Sequence, residues 1–177
     1  MNNENKFPTR KPTRAHGFDY STPRGYFITV CTEHRRKILS SIVGEGLAPP
    51  EIKLSKYGKI VNDNLLSLEG QYSNLRIDNY VIMPNHIHII FVLLDEAGGA
   101  SPSPTISNII CAFKSKCVRD LRKLGFDGKL FQRSFYDHII RNRQDHEEIS
   151  RYIYENPINW EKDELFNDNI ILKGNTK

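Results

Sequence analysis

The sequence has little of what marks secreted and membrane proteins. Its 177 residues include three cysteines, Cys31, Cys111 and Cys117, which follow no CxxC spacing, so we expect reduced thiols. The opening MNNENKFPTRKPTR has no apolar stretch like that of a signal peptide, and no apolar run approaches the roughly 18 residues of a membrane span. We therefore expect a cytoplasmic protein that does not act at a membrane.

The composition is that of one globular domain, but its positive charge is unevenly distributed. Hydrophobic residues make up 38% of the chain and charged residues 26%, with a net charge of +4. Residues 1–37 carry eight basic side chains against three acidic ones, and residues 114–143 carry nine against three. Two such blocks would form a phosphate-binding surface if the fold brings them together. A solvated face plus a basic tail is the alternative.

The first half of the chain predicts a strand followed by a helix. Residues 1–24 contain prolines and no sustained periodicity, which is typical of an extended basic arm. Residues 26–32 are rich in β-branched and aromatic side chains and predict a strand. Over residues 54–70 the apolar positions recur at spacings of three and four, which predicts an amphipathic helix.

The second half predicts three more strands and two helices. Residues 75–83 and 86–94 are strand-like runs joined at Pro84-Asn85, and residues 130–140 predict a fourth strand. A helix capped by Thr105 or Ser107 is expected to end at Gly125. A capping box at Asp145 predicts a last helix that ends before the next proline.

The resulting order, β-α-β-β-α-β-α, indicates an α+β fold. It matches a ferredoxin-like antiparallel sheet with helices on one face, extended by one C-terminal helix. We predict a basic arm over residues 1–24, a single domain over 25–160, and an acidic, polar tail over 161–177. We expect the tail to be a solvated terminus; an acidic segment that covers a basic groove is the alternative.

Two histidines in the segment MPNHIHIIF are the most informative residues. Side chains two apart in a strand point to the same face, so His86 and His88 would present their imidazoles side by side. Imidazole suits Mn²⁺ and other divalent transition metals, and added oxygen ligands would also accommodate Mg²⁺. Two desolvated imidazoles at this spacing predict a shared ion better than they predict two structural residues.

The last predicted helix displays a polar face that includes a tyrosine. Glu148, Tyr152 and Asn156 are spaced by four and lie on one side. A tyrosine hydroxyl can act as a covalent nucleophile, and an asparagine amide oxygen can bind a metal or orient a phosphate. Tyrosines at this spacing are more often packing residues. The functional interpretation of this face therefore depends on the histidine pair.

Together these motifs resemble the histidine-hydrophobe-histidine (HUH) endonucleases, specifically the IS200-like tyrosine transposases and their REP-associated branch. The resemblance runs from about residue 20 to 159, through STPRGYFITVCT, NYVIMPNHIHIIF, FQRSFYDHIIR and DHEEISRYIYENP. His86 and His88 match the HUH motif, and Tyr152 matches the nucleophilic tyrosine. Insertion-sequence relatives have a metal-binding glutamine where this chain has Asn156.

The resemblance implies metal-dependent cleavage and strand transfer of single-stranded DNA. Mg²⁺ or Mn²⁺ would be the cofactor, with His86, His88 and Asn156 as ligands. Tyr152 would form a 5′-phosphotyrosine and release a 3′-hydroxyl, acting on hairpin-forming repeats or element ends. The protein would work as a monomer or a homodimer, a choice that the sequence leaves open.

Further residues are candidates for supporting roles. Asp137 and His138 in the YDHIIR segment, and Glu148, are possible accessory residues; for the first two, a ligand, a hydrogen-bond partner and a structural pair all stay open. The residues expected to contact DNA phosphates are basic. They are Arg10, Lys11, Arg14, Arg24, Lys114, Lys116, Arg119, Arg122, Lys123 and Arg133.

Two other functions fit the same motifs. A noncatalytic hairpin or single-strand binding protein of this fold would have lost cleavage. A phosphoesterase that uses water would need the histidines and not Tyr152. The substitution Tyr152→Phe distinguishes these two functions from a tyrosine nuclease, because only the nuclease would lose a cleavage activity.

Overall fold

A computed structural model describes residues 19–44, 50–95 and 104–166 of the chain. Four strands form the main antiparallel sheet: β1 (Gly25–Cys31), β4 (Leu75–Ile82), β5 (His86–Leu93) and β6 (Tyr136–Ile139). Their order is β4-β5-β1-β6, with β1 paired to both β5 and β6. This is the strand order of a ferredoxin-like fold, so the predicted fold class is confirmed.

One face of the sheet is covered by two long helices, α1 (Lys56–Leu66) and α3 (Ile106–Arg122). Ile28, Ile87 and Ile89 project from the strands into this face, where α3 contributes Phe113. Successive side chains of a strand point to opposite faces, so every second one lies on this face of the sheet. The apolar stripes of the two helices form the other half of the core. The predicted N-cap Thr105 is confirmed, since its hydroxyl accepts from Asn108 N.

The other face is covered by α4 (Arg143–Glu155), which carries Tyr152. Ile90 and Val81 on the strands pack with Ile153 of α4 and with Trp160. The helix begins earlier than its sequence predicts: the N-cap is Asn142, whose side chain accepts from Asp145 N, so Asp145 is not the cap. Asp145 instead accepts from the backbone of Arg141 and from His138.

Three further details differ from the sequence prediction. The strand expected over residues 130–140 is shorter, because the backbone pairs only at an isolated bridge, Thr32 with Phe131, and then in β6. A hairpin of β2 (Ser40–Val43) and β3 (Glu51–Leu54) was not predicted. The helix expected over 54–70 is divided at Ser67 into α1 and the short α2 (Leu68–Gln71).

The segment that follows α4 is folded over the sheet as far as residue 166. A 3-10 turn, Trp160–Lys162, buries its indole in the smaller core, and Phe166 packs edge-on against that ring at 5.0 Å. Asn85 Nδ2 donates to Leu165 O at 2.8 Å, which ties the segment to the start of β5. Residues 161–166 are therefore not the solvated terminus that composition suggested. Within the described residues, the helices are all too short or too polar to cross a membrane.

Candidate active site

The two histidines lie side by side on the sheet face that α4 covers. In β5 they are opposite β1, His86 across from Cys31 and His88 across from Thr29. Their ring centroids are 4.4 Å apart, and the exposed fractions of the two residues are 0% and 2%. The predicted imidazole pair is therefore present, and it is buried.

Neighbouring polar groups determine which nitrogen of each imidazole faces the site. His86 Nδ1 donates to Asn85 Oδ1 over 2.8 Å, and His88 Nδ1 lies 2.9 Å from the Thr29 hydroxyl. Outer-shell partners of this kind fix ring orientation in metal sites, because they leave Nε2 to bind the ion. Burial lowers the pKa of both histidines, so both rings are neutral and keep a lone pair at neutral pH.

A carboxylate completes this group, and it comes from the segment after α4. Asp163 Oδ2 is 3.9 Å from His86 Nε2, and one ligand atom from each of His86, His88 and Asp163 lies within 4.8 Å of the others. Asn156 Nδ2 donates to Asp163 Oδ2, and Leu165 N donates to Asp163 Oδ1, each over 2.6 Å. The carboxylate is thus held in place by the turn that contains it.

Two buried atoms in this group lack hydrogen-bond partners among the described residues: His86 Nε2 and Asn156 Oδ1. A buried polar atom without a partner is costly, by about 1–3 kcal/mol, so such atoms point to a ligand-binding role. Two imidazole nitrogens, a carboxylate and an amide oxygen form a donor set that suits Mn²⁺ and also accepts Mg²⁺. The residues present therefore fit the divalent metal that the sequence predicts.

Tyr152 is beside the histidines in the same chain. Its hydroxyl is 3.2 Å from His88 Nε2, and its ring meets Phe27 edge-on at 6.1 Å. Burial, followed by the charge of Asp163, raises the pKa of Tyr152 to about 12, so its phenol is protonated at neutral pH. Because the nitrogen that contacts this hydroxyl is also the one that faces the metal-ligand cluster, His88 Nε2 cannot serve both partners at once.

A half-open cavity of about 600 Å³ gives access to Tyr152 and His88. Two tyrosines line this cavity: Tyr136 of β6, which is 56% exposed, and Tyr152, which is 44% exposed. Arg35 also lines the cavity, and its guanidinium donates to Glu164 O over 3.3 Å. Both His34 and Arg35 have positive φ, of 56° and 53°, a strained conformation for residues with a Cβ. The cavity therefore has exposed aromatic rings on its wall together with charged side chains of both signs: Arg35, Lys162, Glu155, Asp163 and Glu164.

The three accessory candidates are not part of this cluster. Asp137 lies opposite Ile28, so it is on the other sheet face, where it accepts from Tyr20 over 2.6 Å. His138 is on the site's face but donates to Asp145 over 2.9 Å, which fastens β6 to the start of α4. Glu148 is exposed and accepts from Gln144. Asp137 and His138 thus each form a hydrogen bond to a residue outside the histidine cluster.

The basic residues predicted to contact DNA phosphates differ in their exposure and in their partners. Arg10, Lys11 and Arg14 lie outside the described residues, and Arg24 is exposed just before β1. Lys116 Nζ donates to Ser67 Oγ over 2.8 Å. The exposed members of the second basic block are Arg119, Arg122, Lys123 and Arg133.

Lys114 differs from these exposed cations because it is half-buried. Nζ donates to the backbone oxygens of Gln132 and Ser134 over 2.9 and 3.0 Å. Burial lowers the pKa of Lys114 to about 8. These bonds hold the segment before β6 against α3.

Asp163 is the site residue that sequence reasoning missed. No periodic spacing relates it to the histidines or to Tyr152, because a turn rather than a helix delivers it. The tryptophan three residues before it, Trp160, is the chain's one tryptophan and a signal that this segment packs against the domain.

Comparison with known proteins supports the class of fold. The chain is similar to a structure described as a REP-associated tyrosine transposase bound to a REP hairpin, at 20% identity and a TM-score of 0.59; the match covers 83% of this chain and 74% of the other. It is also 29% identical over 174 residues to an uncharacterized protein of Haemophilus influenzae, covering 90% of this chain and 94% of that protein. No family model matches. The chain thus shares the fold of a tyrosine transposase structure.

Proposed function

We propose that this protein is a metal-dependent tyrosine nuclease and strand transferase that acts on single-stranded DNA at a hairpin. One observation carries the proposal: the Tyr152 hydroxyl lies 3.2 Å from a buried histidine of a His-His-Asp cluster. A pure binding module has no use for a buried cluster with orphaned ligand atoms beside a tyrosine hydroxyl. The shared fold is consistent with this chemistry without demonstrating it.

His86, His88 and Asp163 would hold the divalent metal, with Asn156 Oδ1 as a fourth ligand. When bound, Mn²⁺ or Mg²⁺ supplies Lewis-acid stabilisation of the negative charge that develops on the scissile phosphate. The outer-shell bonds from Asn85 and Thr29 orient the two imidazoles for this task.

Tyr152 is the nucleophile in this proposal. Its oxygen attacks phosphorus, a tyrosine-phosphate bond forms, and the phosphorus bond to the 3′ oxygen breaks. The phenol loses its proton as it attacks, and the departing 3′ oxygen gains one, so that a 5′-phosphotyrosine and a free 3′-hydroxyl result. The adduct keeps the energy of the phosphodiester, so a 3′-hydroxyl can later attack it and rejoin strands without a nucleotide cofactor.

The cavity favours an unpaired strand as the reacting segment. The exposed rings of Tyr136 and Tyr152 offer stacking surfaces, which unpaired bases use and paired bases do not. Arg35 and Lys162 place positive charge on the cavity wall, where Glu155, Asp163 and Glu164 place carboxylates. The structural neighbour's description names a REP hairpin as its ligand, and we propose a hairpin with an unpaired tail as the substrate here.

One chain contains every group that the reaction needs. Tyr152 reaches His88 of its own chain, so the site requires no residue from a second copy. We therefore propose that a monomer suffices for cleavage, although joining two ends could still bring two copies together.

The test is a denaturing gel that detects a covalent protein-DNA adduct. Purified protein is incubated with labelled hairpin oligonucleotides that carry unpaired tails, with Mn²⁺ or Mg²⁺ or with a chelator. We expect an adduct that requires the metal and that disappears in Tyr152→Phe and His86→Ala. Tyr154→Phe is the matched control, since Tyr154 lies on the same helix, is 75% exposed and should leave the adduct unchanged.

Two results would contradict the proposal. Cleavage that persists in Tyr152→Phe would identify a phosphoesterase that uses water. Binding without any adduct, across a panel of hairpins and both metals, would identify a noncatalytic hairpin-binding protein. Asp163→Asn adds a sharper check, because it should raise the metal concentration needed for half-maximal adduct by at least about tenfold.

A further inference from the structure

Arg35 is a half-buried cation in the wall of the cavity beside Tyr152, which we name the catalytic cavity. It belongs to a 3-10 turn, Glu33–Arg35, that follows β1. Lys162, the other cation that lines this cavity within the described part of the chain, is exposed. Burial, and after it the charge of Arg35, lower the pKa of His86. The positive charge of Arg35 therefore acts on the histidine cluster.

The backbone that carries Arg35 is strained and is held in place by hydrogen bonds. His34 and Arg35 have φ values of 56° and 53°, and residues with a Cβ keep this left-handed conformation only where the surrounding structure imposes it. Arg35 N donates to Thr32 O over 3.0 Å, and Thr32 N donates to Asn85 O over 2.9 Å. Asn85 is also the residue that orients the imidazole of His86. The turn is thus fixed to the chain next to the histidine cluster, which limits where the guanidinium can lie.

The guanidinium of Arg35 keeps most of its hydrogen-bonding capacity. Its one hydrogen bond among the described residues runs from Nη1 to Glu164 O over 3.3 Å, and this acceptor is an uncharged backbone oxygen. A guanidinium has several N–H donors, and Arg35 forms no ion pair with the residues that the structure describes. Arg36, by contrast, donates to the backbone oxygens of Glu33 and Lys129. Arg36 thus uses its guanidinium within the fold, whereas Arg35 presents an unpaired charge to the catalytic cavity.

A DNA strand that enters the catalytic cavity meets carboxylates, so its phosphate needs a cation there. Glu155 and Glu164 both line the cavity, and each repels the negative charge of a phosphodiester. A guanidinium offsets this repulsion and donates two parallel N–H bonds to two phosphate oxygens, a geometry that a lysine ammonium does not match. Positive groups aimed at a transferring phosphoryl group also stabilise the charge of its transition state. The chemistry of Arg35 therefore fits the phosphate that reacts.

We propose that Arg35 is a catalytic residue whose guanidinium binds the non-bridging oxygens of the phosphate that Tyr152 attacks. This inference deepens the proposed function and rests on it for the identity of the reaction. Arg35 forms no covalent bond and transfers no proton in this step. It holds the phosphate beside the Tyr152 hydroxyl and offsets the negative charge on the phosphate oxygens.

The first test measures binding in the presence of a chelator, so that it does not depend on cleavage. A methylphosphonate linkage carries a methyl group in place of the charged oxygen, so it removes the charge of one phosphate. Hairpins are prepared with a single methylphosphonate at each successive linkage of the unpaired tail. The loss of affinity at each linkage is compared between the parent, Arg35→Gln and the control Lys59→Gln, which removes an exposed cation from α1 on the other face of the sheet. Thermal unfolding confirms that both variants fold.

We expect one linkage at which the methylphosphonate weakens binding to the parent about tenfold more than it weakens binding to Arg35→Gln. A neutral linkage costs little once its cationic partner has been removed, whereas the other linkages should give the same loss in both proteins. Lys59→Gln should match the parent at every linkage.

The second test relates this linkage to the reaction. We expect it to be the linkage that becomes joined to Tyr152 in the adduct assay. At saturating DNA and Mn²⁺, Arg35→Gln should form the adduct about 100-fold more slowly than the parent. Arg35→Lys should recover part of this rate, because it keeps the charge and loses the paired hydrogen bonds.

Two results would overturn the inference. These are equal methylphosphonate losses in Arg35→Gln and the parent at every linkage, or an Arg35-dependent linkage other than the one that Tyr152 attacks. An adduct formed by the parent without any Arg35-dependent linkage would keep the tyrosine nuclease and refute the Arg35 contact. An Arg35-dependent linkage without any adduct in the parent would refute the nuclease and keep Arg35 as a phosphate-binding residue. The two proposals therefore fail separately.

Discussion

The two faces of the sheet are both buried by helices, and they differ in the chemistry of what is buried. Under α1 and α3 the strands contribute isoleucines and other apolar side chains that meet Phe113 and its neighbours. Under α4 the strands contribute Thr29, His86 and His88, with Asn156 and Asp163 facing them. Burial on the first face stabilises the fold, since apolar groups leave water and need no partners.

Burial on the second face has a different effect. Removing imidazole and amide groups from water destabilises the fold unless partners satisfy them, and two such atoms have no protein partner among the described residues. The α4 face therefore holds the buried polar group that we propose to be a metal-ligand set. The predictions below test this difference, from the largest effect to the smallest.

The apolar face should respond most strongly to truncation. Phe113 is fully buried in α3, and Phe113→Ala should lower the free energy of unfolding by about 3–5 kcal/mol, from lost burial and the cavity left behind. Urea denaturation measures this loss. A change below about 1 kcal/mol would mean that this face is not the main source of stability.

Acid should destabilise the α4 face in the absence of metal. Burial lowers the pKa of His86 and His88, so the unfolded chain binds more protons than the folded one below pH 6.5. Stability is then full above pH 6.5 and falls below it, by about 1.4 kcal/mol per pH unit for each histidine. Urea midpoints between pH 7 and pH 5 should fall less steeply in His86→Asn/His88→Asn; equal slopes would contradict the burial argument.

Metal should stabilise the α4 face. Mn²⁺ at about 100 times its dissociation constant should raise the free energy of unfolding by about 2.7 kcal/mol. Thermal unfolding with and without Mn²⁺ measures this increment, which Asp163→Asn should reduce. The control Glu148→Gln removes an exposed carboxylate from the same region, and the stabilisation by Mn²⁺ should be unchanged in it. An increment that survives in Asp163→Asn would remove Asp163 from the ligand set.

Two glycines provide a smaller test of packing around α1 and α2. A Cβ at Gly58 would lie 2.0 Å from Leu39 O, whereas one at Gly70 would meet nothing within 4 Å. Alanine is the better helix former, yet Gly58→Ala should destabilise the protein by about 1–3 kcal/mol because backbone must shift. Gly70→Ala should stabilise it by about 0.5–1 kcal/mol. Urea denaturation of both variants gives the signs, and a stabilised Gly58→Ala would contradict the close contact.

Local sequence patterns correctly predicted those strands and helices that are marked by periodicity, residue type or a capping residue. The β-branched run in β1, the alternation in β4 and β5, and the helical spacing and Thr105 cap of α3 each depend on neighbours in sequence. Those patterns also placed His86 and His88 on one face, because the two-residue period of a strand is independent of what packs on it.

Patterns failed where a distant group decided the outcome. Residues 130–140 are apolar enough for a long strand, yet the Lys114 ammonium donates to the backbone oxygens of Gln132 and Ser134, between the isolated bridge at Phe131 and β6. Asn142 replaces Asp145 as the N-cap of α4 because Asp145 is engaged by His138 and the Arg141 amide. In the β2-β3 hairpin each strand has four residues, and a run of this length is too short to show a period.

The sequence by itself determined the fold class, the imidazole pair and the helix that carries Tyr152, because each follows from periodicity within a few residues. Only the tertiary structure decided which groups face one another. It brought Asp163 from a turn to within 3.9 Å of His86, turned Asp137 to the opposite face of the sheet, and set Tyr152 beside His88. Contacts between residues far apart in the chain depend on the register of strands and the docking of α4, which no local spacing encodes.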